Sequence, residues 1–214
     1  MTSVSELDLA ALLCSRLCHD LLSPVGALTN GLELLADEQD PEMRQRCFEL
    51  LEQSAKASAD KLKFFRLAFG AAGGFGEMVP VAEPRALVDA LVSGNARVSV
   101  NWALGGDVLP KAAVKVLLNL AQIGLESLVR GGTLDIAAEF RDGSSEIVVR
   151  ATGQRVAFDP AIGAALDGTL PVADLSSRTA AAAMLNRLAQ AVGGGLQYHA
   201  TPETLVLGAV LPVG

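Results

Sequence analysis

Residues 14 to 24 read CSRLCHDLLSP, so two cysteines, one of the chain's two histidines, an adjacent acid and a proline fall close together. Three chemistries use such groups. Haem attachment takes a C-x-x-C-H run, but Cys14-Ser15-Arg16-Leu17-Cys18-His19 carries one residue too many between its cysteines. Zinc takes a tetrahedron of Cys and His. Cys14, Cys18 and His19 do not share a helix face, and only Cys47 and His199 remain to complete a site. The third is nucleophilic. A carboxylate beside an imidazole fixes its tautomer and leaves the other ring nitrogen free to attack. The residue types therefore point to His19 with Asp20, to no metal, and to Cys14 and Cys18 as small apolar packing. His199, beside Tyr198, reads as structural.

The element that must position His19 is a helix over residues 6–36. Leu9, Leu13, Leu17, Leu21, Leu28, Leu32 and Leu35 recur at helical steps, and Ser5 is a plausible N-cap. With Leu17 as the centre of the buried stripe, about 100° per residue turns His19 roughly 200° away, toward solvent. Ser15, Leu22, Ser23, Gly26 and Asn30 share that face, and Leu12 adds an apolar contact beside the imidazole. Small residues and an out-of-place leucine predict a docking face. Arg16 and Lys63 are candidate contacts for an acidic partner surface. Pro24 removes a helical hydrogen bond just past the site and should bend the helix.

Asp37-Glu38-Gln39-Asp40-Pro41 interrupts the pattern, with Asp40 as cap and Pro41 at the first helical position. A second helix is expected over 41–70, followed by a glycine-rich linker from Gly70 to Gly76. Residues 1–74 thus form a helical hairpin. Two helices cannot enclose a core, so a second copy is expected to complete a four-helix bundle, as a homodimer. Cys14, Leu17 and Leu21 would lie in that core, with Cys18 at its border.

Residues 75–214 change texture. Helices are expected over 83–92, 111–129 and 176–192. Strands are expected over 97–102, 133–140, 145–151, 196–200 and 204–211, with a hairpin turn at Asp142-Gly143. Helices interleaved with paired strands predict a two-layer α/β sandwich, so the whole chain is of α+β class.

Bulk properties narrow the function. The net charge is −7 and no Lys/Arg block stands out, which argues against nucleic-acid binding. No run approaches the roughly 18 apolar residues of a membrane span. The first residues lack the basic-then-apolar pattern of an export signal, and the three cysteines suit a reduced compartment, so a cytoplasmic protein is expected.

His19-Asp20-Leu21-Leu22-Ser23-Pro24 resembles the phosphoacceptor box of bacterial two-component histidine kinases, and most closely that of the ChpT-type histidine phosphotransferases. That resemblance covers essentially the whole chain. It implies a dimerising hairpin and a C-terminal domain derived from the histidine-kinase (Bergerat/GHKL) ATPase fold. The nucleotide motifs of that fold are degenerate here. The second asparagine of the Asn-rich box, a Mg²⁺ ligand, is replaced by Ile123, which cannot ligate a hard cation. The adenine-binding aspartate before Gly153 is Ala151. Counting back from Val192-Gly193-Gly194 puts Ser177, Thr179 and Ala181 at the phosphate-cradling glycines. The loop Asp167-Gly168-Thr169-Leu170-Pro171 corresponds to what would remain of an ATP lid.

The resemblance implies a phosphorelay. His19 would carry a phosphoryl group between aspartates of receiver domains without ATP and with no cofactor on this chain, Mg²⁺ belonging to the receiver. The donor would be the receiver of a hybrid histidine kinase, and the acceptors would be response regulators, including one controlling cell-cycle transcription. Two alternatives stand beside it: an ATP-dependent histidine kinase fragment and a non-catalytic dimeric scaffold.

Overall fold

A computed structural model of the chain describes residues 5–70 and 77–212. Most of the expected linker, residues 71–76, lies outside the described residues.

The hairpin consists of α1 (Glu6–Asp37) and α2 (Pro41–Ala68). The Ser5 hydroxyl accepts the N–H of Asp8 at 3.1 Å, and the Asp40 carboxylate accepts those of Glu42 and Met43 at 2.8 and 3.0 Å. At the bend the Arg44 guanidinium donates to the carbonyls of Leu35 and Glu38, which have no helical partner. Near this end Gly31 lets the helices touch, since a Cβ there would stand 2.9 Å from Leu51. Pro24 lies within α1, which continues through it.

The buried side of α1 is not centred on Leu17. Leu9 and Gly31 are buried, and Leu12, Leu13, Arg16, Leu17, Asp20, Leu21, Pro24 and Leu28 are half-buried. At about 100° per residue this seam is rotated by roughly 40° from Leu17 toward Arg16 and Asp20. On this side Lys61 of α2 donates to the Asp20 carbonyl and Arg16 holds the Asp20 carboxylate. Cys14 and Cys18 fall outside the seam between α1 and α2 and are exposed in a single chain; Cys47 of α2 is buried.

The second unit runs β1 (Met78–Pro80), α3 (Ala82–Val92), β2 (Val98–Leu104), β3 (Val108–Pro110), α4 (Lys111–Ser127), β4 (Gly132–Arg141), β5 (Ser144–Thr152), α5 (Pro160–Leu166), α6 (Ala180–Ala191), β6 (Gly195–Ala200) and β7 (Thr204–Pro212). β1 and β3 pair with each other. The other strands form a five-stranded sheet in the order β2-β4-β5-β7-β6. β2 and β4 are parallel and the remaining pairs antiparallel. Along β5, Ser145, Ile147, Val149 and Ala151 are buried and Glu146, Val148, Arg150 and Thr152 are exposed, so helices cover one face of the sheet. α4 lies on that face, with Val114, Leu117, Leu118 and Ala121 wholly buried.

Four elements depart from the sequence expectation. α6 begins at Ala180 rather than 176, because the Thr179 hydroxyl accepts the Ser176 N–H at 3.0 Å and closes a turn in place of a helical one. β1 and β3 are too short for periodicity to reveal. α5 was not foreseen, although Asp159-Pro160 carries a helix-start signal and the Asp159 carboxylate caps Ala161 at 2.9 Å. The segment read as a lid remnant follows α5 directly and folds back on its last turn. Gly168 has φ +73°, and Leu170 bonds back to the Ala164 carbonyl at 3.0 Å.

The two units share one core. Phe64, Phe65, Leu67 and Ala68 of α2 belong to the same buried cluster as Leu117, Leu120, Leu134 and Leu205. The Asn119 amide of α4 donates to the Ala68 carbonyl at 3.3 Å, capping the end of α2.

Candidate functional site

His19 projects from α1 with its side chain 83% exposed. Its Nδ1 lies 3.2 Å from Oδ1 of Asp20, whose side chain is only 15% exposed. A carboxylate can only accept, so Nδ1 carries the proton and Nε2 keeps a free lone pair toward solvent.

Asp20 is itself held. Its Oδ2 accepts from Arg16 Nε at 2.7 Å, one helical turn earlier. The far side of the guanidinium donates through Nη2 to Glu126 of α4, and Gln122 Nε2 donates to the same Glu126 oxygen at 3.0 Å. Burial works against the charge of Arg16, but the hydrogen bonds and charges of Asp20 and Glu126 outweigh it and raise its pKa above the ordinary value. The backbone of Asp20 is fixed as well, because Lys61 Nζ of α2 donates to its carbonyl at 2.8 Å. A chain of side chains thus runs from the second unit, through α1, to the imidazole.

The expected docking residues divide. Ser15, Leu22, Ser23 and Asn30 are exposed, and Leu22 keeps 68% of its surface. Gly26 opens on free space, since a Cβ there would meet nothing within 4 Å. Asn30 stands about 16 Å along the helix from His19 at 1.5 Å per residue. Leu12 is half-buried. Arg16 is a correction: its side chain is 16% exposed and engaged with Asp20 and Glu126, so it is not a free cation for a partner. Lys63 is exposed and pairs with Asp60 at 3.6 Å. Sequence reading missed Lys61, Gln122 and Glu126. The available signal was that Gln122 and Glu126 continue, at helical spacing, the polar row Lys111, Lys115 and Asn119 of α4.

The positions read from sequence as degenerate nucleotide motifs are packed. Ile123 and Ala181 line a cavity of about 20 Å³ together with Asn119, Arg16 and Arg178. That is room for about one water, against the several hundred Å³ of a typical ligand pocket. Ala151 and Thr179 are buried and Ser177 is half-buried. Among the described residues no group of three or more His, Cys, Asp or Glu side chains could hold a metal ion. No helix among them is long and apolar enough to cross a membrane.

Residues 81–204 match the family described as histidine phosphotransferase C-terminal domain. Over 211 residues, 97% of each chain, the sequence is 34% identical to protein phosphotransferase ChpT of Brucella abortus (strain 2308). The fold is similar to the 1.7 Å structure of a bacterial phosphotransferase, with a TM-score of 0.84 and 32% identity over 97% of this chain and 98% of that one. With family-level similarity spanning both the hairpin and the sheet domain, the chain belongs to the histidine phosphotransferase family.

Proposed function

We propose that this chain passes a phosphoryl group through His19 between aspartates of receiver domains in a two-component phosphorelay. The observation that carries the reading is an imidazole 83% exposed, with Nδ1 against the Asp20 carboxylate at 3.2 Å. Nε2 attacks the phosphorus of a receiver acyl phosphate in line. The P–N bond forms as the P–O bond to the receiver aspartate breaks, and that carboxylate leaves with its electron pair. The ring, still protonated at Nδ1, gains positive charge, which Asp20 balances. The reverse step delivers the group to the next receiver.

Mg²⁺ belongs to the receiver in this reading, and this chain needs neither nucleotide nor cofactor. The donor is the receiver of a hybrid histidine kinase, and the acceptors are response regulators, including one of cell-cycle transcription. The chain works in the cytoplasm as a homodimer. A second apolar stripe supports the dimer: Leu7, Cys14, Cys18, Val25 and Leu32 on α1, with Phe48, Ala55 and Leu62 on α2, are all exposed in one chain. At about 100° per residue both stripes turn to the same side of the antiparallel pair, away from His19.

The test is incubation with a ³²P-phosphorylated receiver. The label should reach the wild-type chain, be absent from His19→Gln, and be acid-labile and alkali-stable. An alkali-labile label, or undiminished transfer in His19→Gln, sinks the reading. ATP-dependent self-labelling would favour a kinase instead.

A further inference from the structure

His19 sits on the hairpin, yet the contacts that orient it end in the other domain. Asp20 divides its carboxylate, Oδ1 to His19 at 3.2 Å and Oδ2 to Arg16 at 2.7 Å. Arg16 divides its guanidinium in turn, Nε to Asp20 and Nη2 to Glu126. A planar fork can hold two carboxylates in fixed relation, which an ammonium cannot. Glu126 receives a second hydrogen bond from Gln122, which fixes its rotamer. Without Arg16, nothing else among the described side chains holds Oδ2 of Asp20, and the carboxylate is free to swing from the ring.

We infer that Glu126 and Arg16 are positioning residues for His19, acting through Asp20, so that the α4 helix of the second domain sets which imidazole nitrogen is the nucleophile. The inference rests on the phosphotransfer reading for its functional consequence, but not for its geometry. It also gives the second domain a task that requires no nucleotide.

The experiment uses the full chain, ¹⁵N-labelled at histidine. Only His19 and His199 contribute ring signals, and His199→Gln assigns them. In the wild type the neutral His19 ring is protonated at Nδ1. Glu126→Ala and Arg16→Met shift the proton population toward Nε2, and Arg16→Lys is intermediate. In parallel, transfer from an acetyl-phosphate-loaded receiver slows about 10- to 100-fold in Glu126→Ala, the range expected when a reacting group is misplaced. Receiver Kd stays within about twofold, because Glu126 orients a group that does not itself bind the partner. An unchanged tautomer in both variants overturns the inference, even if transfer slows. So does a wild-type ring protonated at Nε2. If the tautomer shifts as stated while no variant, wild type included, accepts phosphate, the positioning stands and the phosphorelay reading fails.

Discussion

Lys61 Nζ stands 2.8 Å from the carbonyl oxygen of Asp20, the carbonyl whose helical partner would be the N–H that Pro24 lacks. The proline four residues on removes a donor, and the neighbouring helix replaces it. The backbone next to His19 is therefore held at this carbonyl from α2 rather than from α1.

This pairing predicts a coupling between two distant substitutions. Lys61→Met should cost about 1 kcal/mol, the value of a typical hydrogen bond, more where the carbonyl is shielded from water. In a Pro24→Ala background, which restores the helical N–H, the same change should cost little. Urea denaturation of the four proteins at one fixed concentration measures the cycle, and additive effects would refute the replacement.

The exposed stripe predicts the oligomer. Leu32 and Phe48 keep 59% and 50% of their surface in a single chain. Leu32→Lys with Phe48→Lys should halve the mass seen by light scattering and speed the reaction of Cys14 and Cys18 with a thiol reagent. A wild-type mass of one chain, or a variant that remains a dimer, argues against this face.

Nucleotide should not bind. The cavity beside Ile123 and Ala181 holds about 20 Å³. A fluorescent ATP analogue with Mg²⁺ should show no saturable signal with the wild type or with Ile123→Asn, because one ligand cannot open a packed pocket. Saturable binding by the wild type would revive the kinase alternative.

Stability should fall at acid pH partly through Asp135. Hydrogen bonds from Asn101 at 2.9 Å and Arg150 at 2.8 and 3.0 Å lower its pKa, despite some burial that raises it. A carboxylate depressed in the folded state contributes fully above its unfolded value, about 3.9, and loses that contribution as pH falls through the folded one. Asp135→Asn should therefore be less stable than wild type at neutral pH, with the gap closing below about pH 4. A gap that persists unchanged at pH 2.5 in thermal melts would assign it to packing.

Much of this arrangement is legible in the sequence. Leucine spacing gives α1, Ser5 and Asp40 give the caps, and helix phase turns His19 outward because a histidine roughly 200° from the main stripe has nowhere else to go. Phase fails at Arg16. A rotation of the seam by roughly 40° turns an expected surface cation into a half-buried bridge. Helix spacing marks Gln122 and Glu126 as one polar row, but that this row and Lys61 meet Arg16 and Asp20 lies in contacts across the fold. The two stripes of α1 also overlap in periodicity, so the sequence alone does not separate Leu17, on the seam with α2, from Cys14, exposed in a single chain.

The shared core around Phe64, Phe65 and Ala68 has a consequence for direction. A kinase must swing its nucleotide domain toward the histidine and away again. Here that swing would break a continuous apolar cluster and the Asn119 cap on α2, so the domains stay put. On the proposed phosphorelay reading, one fixed geometry would meet both the incoming and the outgoing receiver. Loading and unloading would then be the same step run in opposite senses, and the chain would act as a two-way valve. Net flow is dictated by which receivers are phosphorylated and how abundant they are, not by any stroke of the carrier.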